Sequence, residues 1–235
     1  MSAPALAVAF FDPERRLYGT ARSGATLLFD DSRATAVPEG PRLRRNGERV
    51  LAELEGRVSV DLEPAAPAVD LGGATATLCR ARGKALGRRV EGLGTLGETS
   101  EAPNWEELDA VRAISVLVDT ETALLALSRR PAGALGHGDE LPVAFLVQGG
   151  EPVAVEEARF STVYDGDGRQ RSAGLELWLP GEEFPRRGSG VAVAGSSLEL
   201  GGLRVHAAVF RWRLEGREAT GAYELTVREP APEAA

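Results

Sequence analysis

Apolar residues along this chain recur in short runs, alternating or continuous, and turn residues interrupt them about every ten positions. That rhythm predicts strands. Leu6–Phe11 leads through Asp12-Pro13-Glu14 to Leu17–Ala21, and Ser23-Gly24 then precedes Ala25–Phe29. Val58, Val60 and Leu62 alternate with Ser59, Asp61 and Glu63, giving one buried and one wet face. Asn46-Gly47 predicts a two-residue hairpin turn between Pro41–Arg45 and Arg49–Leu54, with positive φ at both turn positions. A longer hairpin is predicted from Ala154–Tyr164, through Asp165-Gly166-Asp167-Gly168, back along Arg169–Leu179 with Leu175, Leu177 and Leu179 on one face. Helical periodicity is scarce. Asn104 offers a cap for one short turn containing Trp105 and Glu107, and the β-branched run Val111–Val118 then reads as a strand.

The chain also repeats itself. Leu71-Gly72-Gly73 aligns with Leu200-Gly201-Gly202, and the same register without gaps matches Arg82 to Arg211, Lys84 to Arg213, Gly87-Arg88 to Gly216-Arg217, and Gly92 to Gly221. Each copy reads as a glycine turn, a long strand, a second turn, and a return strand passing through a glycine. A glycine inside a strand marks a bulge, a bend or the close approach of another backbone. A period of about half the chain excludes propellers and solenoids, whose repeats are much shorter.

The layout resembles the tandem lipocalin-like proteins of the AttH and carotenoid hydratase (hydroxyneurosporene synthase) group. Val90-Glu91-Gly92-Leu93-Gly94-Thr95-Leu96-Gly97-Glu98, with Trp105 after it, looks like the group's central motif. Trp212-Arg213-Leu214-Glu215-Gly216-Arg217 and Gly221-Ala222-Tyr223-Glu224 look like its closing motif. The resemblance implies an all-β fold of two lipocalin-like barrel or sandwich halves in tandem, residues 1–102 and 103–235, with little helix. The group's central histidine and aspartate have no counterpart between Gly92 and Trp105, so a hydratase mechanism resting on them does not carry over.

Composition narrows the function. With 43% hydrophobic and 26% charged residues the chain is an ordinary globular one. A net charge of -8 argues against a nucleic-acid surface, which needs clustered cations. One cysteine, Cys79, and two histidines, His137 and His206, cannot assemble a Cys/His zinc site, so no metal and no cofactor is expected. The Asp165–Gly168 turn lacks the downstream glutamate of a calcium loop. No segment approaches the length of a membrane span, which leads to an expectation of a cytoplasmic protein, oligomeric state open.

A barrel lumen lined by alternate residues suits one small hydrophobic molecule such as a terpenoid, lipid or polyketide. The expected liners are Trp105, Trp178, Trp212, Tyr223 and His206. An alternative is a cofactor-free isomerase, cyclase or hydratase, in which burial raises the pKa of Glu91, Glu98 or Glu224 and lets it deliver a proton. A third reading is a structural module with filled barrels.

Overall fold

The computed structural model describes residues 5–100 and 102–228. The first half contains β1 (Ala5–Asp12), β2 (Leu17–Arg22), β3 (Ala25–Asp30), β4 (Arg33–Val37) and β5 (Arg42–Asn46). It continues with β6 (Arg49–Leu54), β7 (Val58–Pro64), β8 (Val69–Asp70), β9 (Ala74–Ala85) and β10 (Arg88–Thr99). After a turn at Trp105–Glu107, the second half opens with β11 (Leu108–Leu117), β12 (Thr122–Pro131), β13 (Leu141–Gln148) and β14 (Glu151–Ala154). It closes with β15 (Glu157–Tyr164), β16 (Gln170–Trp178), β17 (Arg186–Leu200), β18 (Leu203–Leu214) and β19 (Arg217–Arg228). A 3-10 turn at His137–Asp139 is the only helical element among the described residues. The first strand, expected from the N-terminus, begins at Ala5, and residues 1–4 lie outside the described part.

The two halves share one topology. The sheets run β4-β3-β2-β1-β10-β9-β7-β6-β5, with β8 on β9, and β14-β13-β12-β11-β19-β18-β17-β16-β15. In each, the first strand pairs with the last, and the two edge strands follow one another in the chain. A sheet whose edges are joined by so short a link must curl on itself. In the second half the link is Val155-Glu156: the Val155 amide donates to Ala144 O of β13 (3.0 Å) and the Glu156 amide to Trp178 O of β16 (2.8 Å), the strands next to each edge.

The internal repeat has a structural cause. Strands β9 and β10 are 12 residues each, as are β18 and β19. Their turns place positive φ at Leu86-Gly87 and at Glu215-Gly216, the pattern of a type I′ turn, and Gly72-Gly73 and Gly201-Gly202 take positive φ before each hairpin. Gly92 and Gly221 mark where the neighbouring first strand presses closest: a Cβ there would overlap the carbonyl oxygens of Phe11 and Ser115. The duplicated letters are therefore those that the backbone path itself requires.

The hairpin strand expected over Ala154–Tyr164 begins at Glu157, because Ala154 ends β14 and pairs with Phe145. The turn assigned to Asn46-Gly47 sits one residue later, at Gly47-Glu48, because Asn46 pairs with Arg49. Only Gly47 takes positive φ (62°), which suits a type II′ turn and spares Glu48 the left-handed region. In the Asp165–Gly168 turn, Asp165 Oδ1 accepts the Asp167 and Arg169 amides (both 2.9 Å), and Arg169 holds both carboxylates.

Three apolar clusters hold the molecule together. One fills the inside of the first sheet with Val8, Phe10, Leu28, Val60, Leu62, Ala81, Val90 and neighbours. Cys79 lies in it, and burial pushes its thiol up to about 12. A second fills the inside of the second sheet around Ile114, Leu146, Leu175, Phe210, Trp212 and Tyr223. The third joins the outer faces of the two sheets, with Phe11, Tyr18, Leu27, Phe29 and Leu78 meeting Leu117, Leu125, Val147, Ala207 and Val209. The lumens are thus separate, and the seam between halves is a dry core.

Candidate functional site

Because the hairpins repeat in register, positions transfer between halves. Val8 pairs with Leu96, four residues after Gly92, and Arg112 pairs with Leu225, four after Gly221. By the same register Tyr223 stands where the first half has Gly94, Trp212 where it has Gly83, and Phe210 where it has Ala81. The first lumen is consequently narrow and apolar. Its residual void is about 10 Å³, room for a single water at most.

The second lumen holds larger aromatic side chains at these positions and carries polar groups. Phe210 stacks on Trp212 (centroids 4.8 Å apart) and tilts against Tyr223 (5.5 Å). Arg112, 1% exposed, donates to Glu140 Oε1 at 2.8 Å, and Ser128 Oγ donates to Glu140 Oε2 at 2.9 Å. The Arg112 guanidinium lies 5.6 Å from the Tyr223 ring centre. The Tyr223 hydroxyl shares a 2.6 Å hydrogen bond with Thr162 Oγ1. Burial raises the Tyr223 pKa more than the Arg112 charge lowers it, so the phenol stays neutral. Trp212 is 1% exposed, and its Nε1–H has no hydrogen-bond partner among the described residues.

The barrel is split beside this cluster. β14 pairs β13 only over Phe145–Gln148, and β15 pairs only β16, so Leu141–Val143 have no strand partner on that side. Glu140 ends the segment 132–140 that connects β12 to β13 at this gap. Leu135 within that segment is fully exposed, and Leu141 largely so.

Of the residues expected to line a lumen, Trp212 and Tyr223 lie together in the second one, with His206 further along the same face of β18. His206 Nδ1 is 2.7 Å from Ser197 Oγ, and its backbone oxygen accepts from Gln170 Nε2 (3.1 Å). Trp178 is on the outer face, where Arg159 covers its ring at 4.7 Å. Trp105 is half-buried in the connection between the sheets, its carbonyl accepting from Arg228 (2.6 Å).

The carboxylates are scattered. Glu91 points outward and pairs with Arg89, while its amide donates to the buried Asp12 (2.9 Å). Glu98 has the lumen-facing parity of β10 and is bridged by Arg45 from β5 across the mouth of the first half. Glu224 lies at the seam, bonded to Arg22 of the other sheet. Sequence reasoning passed over Arg112, Ser128, Glu140 and Thr162. Arg112 was detectable, since it interrupts the apolar face Ala110, Ile114, Val116 of β11.

His206 gives a pH prediction. Burial, with Arg204 nearby, lowers its pKa below the ordinary 6.5. As pH falls through that value the unfolded chain takes up a proton that the folded chain resists, so stability present at neutral pH declines. Urea midpoints measured at pH 7.5 and 5.5 are expected to fall less for His206→Gln than for the native chain.

No protein-family model and no curated protein sequence matches the chain. Solved structures do match in shape. An AttH-type protein of Nitrosomonas europaea superimposes with a TM-score of 0.64 at 12% identity, over 96% of this chain and 92% of that one. CghA superimposes with a TM-score of 0.66 at 12% identity, over 98% of this chain and 89% of its own. Its structure with Sch210972 gives 0.65 at 12% identity, over 97% and 89%. Among the described residues no helix is long and apolar enough to cross a membrane. The chain therefore has the tandem lipocalin-like, AttH-type fold, two curled half-barrel sheets in succession.

Proposed function

We propose that the chain binds one small, largely apolar molecule bearing an oxygen acceptor, held in the second lumen against Phe210, Trp212 and Tyr223. The observation that carries this reading is the buried Trp212 Nε1–H without a partner. An unmet buried donor costs about 1–3 kcal/mol, and a ligand oxygen is what would meet it. The split between β13 and β15 offers a way in, and the exposed Leu135 and Leu141 give it an apolar rim. A neighbour of the same fold, CghA, has been solved with Sch210972, which supports reading such a barrel as a ligand site. A chemical step on the bound molecule is a second reading, favoured by the neutral Tyr223 hydroxyl next to Arg112, a donor set suited to polarising a carbonyl.

The test is a panel of cyclic terpenoid ketones and their parent hydrocarbons, followed by calorimetry and native mass spectrometry. Ketones are expected to bind more tightly than hydrocarbons, and Trp212→Phe to weaken ketones about tenfold while leaving hydrocarbons nearly unchanged. No binding, or hydrocarbons bound as well as ketones, would overturn the reading.

A further inference from the structure

A groove of about 800 Å³ lies along β15–β18 of the second sheet, and Thr162, Ala173, Gly190 and Trp212 border it together with the outward-facing residues of these strands. Two outward rows cross β15, β16, β17 and β18 to form its floor. Val163, Ser172, Val191 and Arg211 make one, and Ser161, Gly174, Ser189 and Arg213 the other. Four strands at the usual spacing give a floor about 14 Å long. Its middle is low because the side chains there are small. Val163 and Val191 are 57% and 45% exposed, so apolar surface is left open along it.

The cations stand together at one end. Arg211 and Arg213 are exposed, and their side chains make no ion pair or hydrogen bond among the described residues. The first half shows what has changed. Arg82 and Lys84 occupy the matching positions, but Asp61 and Ser59 stand opposite them, with Glu63 next along the strand. In the second half their places are taken by Val191 and Ser189. The nearest acids are Glu218, opposite Arg213 at the rim, and Glu176 beyond the second row, which Arg187 holds at 3.3 Å. The end of the groove is left with two cations to one acid, on a chain of net charge -8.

We infer that this groove binds a single-chain anionic amphiphile. Its carboxylate sits on Arg211 and Arg213, and its hydrocarbon runs across the serine and glycine floor to Val163. A medium-chain carboxylate matches the length, the hydroxyl groups meet water or the head, and the two valines meet the chain. The groove shares strands β15 and β18 with the lumen site, Thr162 and Trp212 bordering both, whereas Arg112 and Glu140 border only the lumen.

Titration of the full chain with decanoate below its micelle concentration tests this. Decanoate is expected to bind, decanol at least tenfold more weakly, and acetate not measurably, since head and chain both contribute. Arg211→Gln with Arg213→Gln should weaken decanoate at least tenfold, and Ser189→Trp, which fills the groove from an exposed position, should abolish binding. Arg112→Met with Glu140→Leu, altered only in the lumen, should bind decanoate as the native chain does. Undiminished binding by the arginine variant, decanol or acetate equal to decanoate, or loss in the lumen variant would each overturn the inference. So would capture of anionic phospholipid vesicles without binding of monomeric decanoate, which would mark a membrane contact instead.

Discussion

Gly221→Ala is expected to destabilise the chain by about 3 kcal/mol, the upper end of overpacking costs, and to lower Tm by roughly 10 °C for a chain of this size. The added methyl group would overlap the Ser115 carbonyl oxygen, and backbone cannot rotate away as a side chain can. Ser115 is also held close to this strand, since its hydroxyl accepts the amide of the adjacent Ala222 at 3.0 Å. Gly92→Ala should behave alike, because its methyl group would overlap Phe11 O while Asp12 holds the adjacent Glu91 amide. Gly195→Ala is the control. Its nearest neighbour would be Ala207 O at 3.5 Å, an ordinary contact, so the change should stay within about 0.5 kcal/mol. Thermal unfolding followed by circular dichroism separates these outcomes, and equal changes at all three positions would mean that the close backbone approaches at Gly92 and Gly221 do not set the cost.

Those same glycines made the fold legible. A backbone that twice makes the same turn and twice passes under the same neighbour demands glycine at the same places, and such demands show in one sequence without an alignment. Strand alternation was legible for a similar reason, as in Val58, Val60 and Leu62, where one face is buried and the other wet. It held more than was drawn from it. Glu91 and Glu98 are an odd number of residues apart in one strand, so they must face opposite sides, and both could never have served one lumen. Arg112 was readable as a charge on an apolar face, but its partner was not. Glu140 lies in a connection outside any strand, and only the curl that brings segment 132–140 to the split places it against Arg112 and Ser128. The outer groove was hidden likewise, since its two rows combine four strands whose registers no periodicity states.

The largest expected effect falls on that ion pair. Glu140→Leu is expected to cost about 3–5 kcal/mol, because it takes the carboxylate from a guanidinium that is 1% exposed and cannot recover water. Arg112→Met should cost about as much, leaving the carboxylate in the same dry place. The double variant should not add the two losses. The first half has Val8 at the position of Arg112 and folds around it as apolar core, so two apolar side chains of similar length should restore most of the stability. Urea unfolding of the native chain, both single variants and the double variant gives the coupling, expected to be at least about 2 kcal/mol. Simple addition would show that the two groups do not depend on each other. If the double variant is stable yet binds ketones less well than the native chain, the pair is kept for the ligand at the expense of an easier core. If it is stable and binds them unchanged, Trp212 and Tyr223 alone hold the oxygen, and the ion pair serves to keep the split between β13 and β15 in register.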